Sequence, residues 1–258
     1  MTSPKTLARI AGLLYLVLAV LGGWAELYVR GTVHVRGDAA ATAANVSGHE
    51  TLFRLGLAAD ILMATVFVFL GLVLHRLLHH VHARAAVTLM VFVAVGAGSI
   101  LLNLVFHAGA LLAATDPSYT ASPGTGGALT LLMLDLHDLG YILGGVFFGL
   151  WLLPMGYLAY RSSMFPTVLG VLLVIGGFAW IADPLILFTL PDAPGAVRDV
   201  VAVPTSVAEF GLILYLLVVG VRLRGAPAAE PVAENTGDTG DTGNTGNAQS
   251  AGKVTGRA

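Results

Sequence analysis

Six apolar runs, at roughly 8–28, 54–76, 86–112, 128–158, 166–188 and 204–222, dominate the chain. A bilayer core about 30 Å thick takes about 20 apolar residues to cross as a helix. Hydrocarbon offers no partner to a free backbone N–H or C=O, so such a run must satisfy its own hydrogen bonds, as a helix does. The predicted fold class is therefore all-α, a polytopic membrane helix bundle with six transmembrane helices. Only 11% of the residues are charged and 56% are hydrophobic, where soluble domains carry about 25% charged residues. So few charges could not cover a globular surface, and the partner implied for most of the exterior is the lipid bilayer.

The first run follows Lys5 and Arg9 and imitates a secretory signal. It leads into Trp24, Glu26 and Tyr28 without a small-residue cleavage site, so it reads as a retained span. With the N-terminus inside, the cytoplasmic segments hold Lys5, Arg9, Arg76, Arg84, Arg161, Arg222 and Arg224, against Arg30, Arg36, Arg54 and Arg198 outside. The excess places both termini in the cytoplasm, with the plasma membrane as the expected location. Residues 1–224 form the transmembrane domain. Residues 225–258 repeat a Thr-Gly-Asp/Asn triplet with little to bury, and are expected to be a disordered cytoplasmic tail.

Outside the membrane, "GDAAATAAN" predicts a short interfacial helix capped by Asp38. Ser47 and Glu50 have capping-box spacing ahead of the second span, and Glu50 can pair with Arg54 four residues on. Ser206 and Glu209 repeat that spacing at the start of the sixth span. Pro154 and the Asp183-Pro184 pair are expected to bend or end their helices. The net charge of −2 comes with no basic cluster suited to nucleic acid. The absence of cysteine excludes disulfides and thiolate metal sites.

Ionisable residues inside the spans carry the functional signal. Asp60, Asn103, His107, Asp135, His137, Asp138 and Glu209 all fall in the half expected to face outward, with Arg54 above them. A carboxylate at mid-bilayer costs about 2.5–3.5 kcal/mol on insertion scales. These groups should therefore turn inward to a shared polar cavity, with Arg54 near its mouth and the aspartates paired to His107, His137 or Arg54. Three uses follow. The network could only brace the helices. His107, His137, Asp60 and Asp135 could hold zinc or manganese and activate water for an intramembrane hydrolase. Or the Asp/His chain could serve a proton-coupled small-molecule carrier, although no inverted repeat is visible. Haem between His107 and His137 ranks below the metals. At the inner end, His75, His79, His80 and His82 read as an interfacial helix end rather than a metal site. Catalytic residues and protein partners are not named by any of these patterns.

The segments "GDAAATAANV" (37–46), "LFRLGLAADILM" (52–63), "LDLHDLGY" (134–141) and "FFGLWLLPMGYLAYRSSMFPTVLGVLL" (147–173) resemble the bacterial membrane-protein family known as domain of unknown function 4386, or DUF4386. The likeness covers about residues 7–222. It implies a multi-pass helical membrane protein and carries over no reaction, ligand or catalytic residue. Arg54, Asp60, Asp135 and His137 are among the family's characteristic positions.

Overall fold

The computed structural model describes residues 3–120 and 124–222; the expected tail at 225–258 lies outside the described residues. Helix α1 (Pro4–Gly23) continues as a π-helix (Trp24–Arg30) and one further turn, α2 (Gly31–Val33). The short α3 (Ala39–Gly48) leads to α4 (Glu50–Leu78) and α5 (Ala83–Thr115). A turn of helix, α6 (Pro117–Thr120), precedes α7 (Thr125–Arg161), α8 (Thr167–Thr189) and α9 (Gly195–Val218). Among the described residues six helices are long and apolar enough to cross a membrane, Pro4–Val33 counted as one. The fold is an all-α membrane bundle.

Each long helix packs on the next in the order α1, α4, α5, α7, α8, α9, and α9 returns to α1. The six spans therefore close into a ring. Short connections force antiparallel neighbours, so one end of the ring carries α3 and the opposite end carries the α4–α5 turn. Near the α4–α5 turn the interior is filled by large apolar side chains, among them Leu70, Leu74, Leu89, Leu152, Met155 and Leu158, all fully buried. Toward the α3 end the polar groups collect. Helix α3 lies against α4, α5 and α7, where Asp38 caps it by accepting the Ala41 N–H at 2.9 Å.

Several boundaries differ from the sequence expectation. The Ser47 hydroxyl donates to the Ala43 and Ala44 carbonyls inside α3, so the capping box before α4 does not form. His49 occupies the cap position instead, with no side-chain capping bond. Span six begins at Gly195 rather than near 204 and runs through Pro204, which leaves Ser206 and Glu209 in mid-helix. The capping-box reading of Glu209 is thus overturned. Neither Pro154 nor Pro184 ends its helix, because membrane helices tolerate the missing N–H where neighbours and local adjustment compensate. The Glu50–Arg54 pair does form, at 2.6 Å.

Small residues set the closest helix approach in the ring. A methyl group on Gly156 would stand 2.7 Å from the Gly170 carbonyl oxygen, and one on Gly170 would stand 2.8 Å from the Tyr160 backbone nitrogen. Such small-residue stripes let membrane helices gain dispersion contacts that lipid cannot supply. Replacing Gly156 with Val should lower the thermal unfolding midpoint of detergent-purified protein, by about 1–3 kcal/mol of overpacking. Gly98→Ala, where an added methyl meets nothing within 4 Å, should leave the midpoint unchanged.

Candidate functional site

The π-helix at the end of span one supplies the charge that organises the site. The Gly31 N–H reaches back to the Glu26 carbonyl, the five-residue bond of a π turn. Such turns recur at functional sites. Arg30, counted from sequence among the outer loop cations, is buried to 3% exposure. Its Nε donates to the Glu26 carboxylate at 2.7 Å and its Nη1 to Asp60 Oδ2 at 2.6 Å. The guanidinium fork thus ties span one to α4. Asp60 is buried as predicted, but its cation is Arg30, not Arg54. Arg54 stays on the surface with Glu50, one helix start away from the interior.

Behind Asp60 stand two histidines. Asp60, His107 and His137, all buried, each offer a ligand atom within 4.8 Å of the other two. His107 Nε2 lies 3.1 Å from the Phe53 carbonyl oxygen. Since only an N–H can bond a carbonyl, the proton sits on Nε2 and Nδ1 keeps its lone pair. Phe53 also stacks on the imidazole with ring centroids 3.9 Å apart, fixing its plane. Neither Nδ1, of His107 or of His137, has a hydrogen-bond partner. Asn103 donates to the His137 backbone carbonyl at 2.8 Å and packs where Gly140 has no side chain; any β-carbon at Gly140 would overlap the Asn103 amide. The histidine rings meet edge to face with centroids 5.7 Å apart, which leaves no slab for a porphyrin between them.

The three ionisable groups of "LDLHDLGY" therefore divide. His137 turns into the ring while Asp135 and Asp138 turn toward the α2–α3 connection. There His34 Nε2 lies 3.1 Å from Asp135 and its Nδ1 3.4 Å from Asp138, with Arg36 at 3.8 Å from Asp138. Asp135 has 51% of its side chain exposed. It stands apart from the triad and is no ligand to it, whereas the more buried Asp138 also interacts with the neighbouring His137 side chain, one of the pairings expected of it. At the opposite end His75 and His79 stack on each other, and His82 caps α5 by accepting the Ala85 N–H. Among the described residues no metal-spaced group forms there.

Glu209 joins the interior on the far side of the ring. Its carboxylate accepts from the Tyr15 hydroxyl at 2.6 Å and from the Trp180 indole at 2.7 Å. Neighbouring cavities border it and the triad. A pocket of ≈ 10 Å³ lies beside Arg30, Asp60, Ser99, Asn103, His137 and Tyr141, room for about one water. It shares Met63, Ile100, Tyr141 and Phe148 with a cavity of ≈ 70 Å³ that reaches Tyr15, Trp180 and Glu209. A third space of ≈ 210 Å³ continues between α1 and α9 past Gly22, Gly23 and Phe210. Through Trp180, Thr205 and Ser206 this space adjoins an open basin of ≈ 470 Å³ where Arg198 grips Asp183 at 2.6 and 2.8 Å.

Sequence reasoning missed Arg30, His34, Tyr15, Trp180 and Tyr141. Burial cost flags charges in the middle of an apolar run, and Arg30 and His34 sit past the apparent end of one. The aromatic residues carry no such cost.

Comparison with known proteins gives the family without an activity. An uncharacterized protein from Archaeoglobus fulgidus is 37% identical over 65 residues, 23% of this chain. The chain spans 40% of that relative's length. No solved structure matches the chain. The family described as "Domain of unknown function (DUF4386)" matches residues 10–220, which covers all six spans but for the first six residues of α1. The chain is a multi-pass membrane protein and belongs to the DUF4386 family.

Proposed function

We propose that the protein is a metal-dependent hydrolase embedded in the membrane, with Asp60, His107 and His137 holding one divalent cation of the zinc class. A single observation carries this reading: Asp60, His107 and His137 stand buried at ligand spacing, and the Nδ1 atoms of both histidines lack a side-chain or backbone partner. A network that only braced helices would satisfy its own members, since each orphaned buried polar atom costs about 1–3 kcal/mol. Two nitrogens and one carboxylate oxygen form a zinc donor set that leaves a fourth position open. Ligand atoms around tetrahedral zinc stand about 3.3 Å apart, so small side-chain rotations close the site. The Phe53 carbonyl on His107 supplies the outer hydrogen bond that metal-bound histidines commonly make.

The small pocket beside Asp60 and His137 is the place for a water on the open position. Water held there by a zinc ion would ionise near neutral pH, and Arg30, which lines the same pocket, would offer positive charge to an oxyanion. The one-ended run of cavities supports access from the α3 end. The packed leucines at the other end give a carrier no matching exit. We also infer that the α3 end is extracytoplasmic and that the protein resides in the plasma membrane. With Arg30 inside the ring, only Arg36, Arg54 and Arg198 remain to oppose the seven cations of the other side.

Metal analysis of the detergent-purified full chain should find about one zinc or manganese per protein. His107→Ala and His137→Ala should reduce it to background, and Asp135→Asn should retain it. Wild-type protein that neither copurifies with these metals nor takes them up on dialysis would leave bracing as the role of the triad. Orientation has its own check, because the chain contains no cysteine. A single cysteine at exposed Ser47 should react with an impermeant maleimide on intact cells, and one at exposed Ser163 should react only after lysis. The reverse pattern would invert the topology.

A further inference from the structure

The cavity next to the triad is of a different chemical kind. It is lined by Tyr15, Phe67, Tyr141, Phe148, Trp151 and Trp180, and its one charged group is Glu209. The aromatic rings hold one another in place. Trp151 meets Tyr15 and Phe67 edge to face, with centroids 5.5 Å apart in both pairs, and Phe148 meets Trp180 in the same way at 5.6 Å. Tyr15 and Trp180 then fix both carboxylate oxygens of Glu209.

Both of those donors are neutral, and among the described residues no cationic side chain pairs with Glu209. Asp60 has Arg30 and Asp183 has Arg198, whereas Glu209, turned into the ring interior, is held by neutral donors alone. A carboxylate drawn away from bulk water is stabilised by a positive partner or by taking up a proton. A carboxylate has about four lone-pair sites, and hydrogen bonds to Tyr15 and Trp180 occupy two. An inorganic cation fits the vacancy poorly. Calcium takes 6–8 oxygen ligands and magnesium about six, while this cavity offers one carboxylate among apolar walls. Aromatic walls with a single acid suit an organic cation, whose charge is diffuse and whose substituents are apolar.

We propose that Glu209 and the surrounding rings bind an alkylammonium group, as found on a free amine or on a choline or ethanolamine lipid headgroup. The route supports either source. The adjoining space between α1 and α9 is lined by Gly22, Gly23 and Phe210, and Phe210 is 60% exposed on the outer surface of the ring. The basin at the α3 end opens the same space to water. The site stands without the metal. Where the hydrolase reading also holds, the rest of a molecule gripped here lies toward Asp60 and His137, past the shared Tyr141 and Phe148.

Tryptophan fluorescence tests this directly, because two of the three tryptophans of the chain line the cavity. Detergent-purified full-length protein, treated with chelator so that the triad plays no part, is titrated with tetramethylammonium, choline and butylammonium, with potassium as the ionic-strength control. A saturable change with the ammonium ions and none with potassium is expected. Glu209→Gln should weaken binding about tenfold or more, the loss of one charged partner. Should that variant fail to fold, Tyr15→Phe keeps the carboxylate and should still bind. The wild-type thermal midpoint should also rise with choline concentration. No saturable change in the wild type, or equal affinity in a folded Glu209→Gln, overturns the proposal. In nanodiscs, competition against choline by phosphatidylcholine or phosphatidylethanolamine, but not by phosphatidylglycerol, identifies a lipid headgroup as the occupant. Undiminished choline binding in all three lipids identifies a free amine.

Discussion

Hydrocarbon does not solvate charge, and the contact that answers this most directly is the buried Arg30–Asp60 pair. Asp60 lies ten residues into α4, about 15 Å from the helix start, beyond easy reach of water. The chain brings it a guanidinium by carrying span one past its apparent end and widening the last turns into a π-helix. Removing one partner of a buried pair costs about 3–5 kcal/mol, because the other charge is left stranded. The pair therefore fixes the depth and rotation of span one against α4. The wall on which the histidines converge depends on that register.

Much of this was legible from burial cost alone. Asp60, Asn103, His107 and His137 sit deep in apolar runs, and the structure turns all four inward. Asp135 and Asp138 carried the same signal and point elsewhere. Three residues apart, they share a helix face, and that face meets His34 on the α2–α3 connection rather than the ring. Nothing in α7 itself reveals which neighbour its polar face will meet; that depends on where α3 folds back. The aspartates are the outer clasp of α7 and His137 its inner contribution. This division explains three ionisable groups within four residues.

Other differences arise where a local pattern competes with tertiary packing. Ser206 and Glu209 have the spacing of a capping box, but a box forms only where a helix begins, and the chain was already helical from Gly195. Apolar residues such as Val200 and Val203, exposed at 69% and 56%, extend the span toward the α3 end. Glu209 is thereby carried into the interior. Arg54 gives the converse case. Glu50 four residues before it offered a surface partner, and the i,i+4 pair was satisfied without entering the ring. Ring closure, α9 against α1, was not visible in any single segment. It sets Tyr15 beside Glu209, two residues separated by nearly the whole membrane domain.

The interior thus contains two incomplete groups, and they are incomplete in different ways. Around Asp60 the charge is already answered by Arg30, and Glu26, partly exposed, reaches the surface. What is missing there is a partner for the two imidazole Nδ1 atoms, which no side chain among the described residues supplies. Around Glu209 each carboxylate oxygen has one neutral donor, Tyr15 or Trp180, and no cationic side chain among the described residues pairs with it. Helix packing alone could have been served by fully paired or wholly apolar side chains at lower cost. Across the shared Tyr141 and Phe148 the interior thus holds two environments of different kind, imidazoles beside an ion-paired carboxylate on one side and a carboxylate held by neutral donors among aromatic rings on the other.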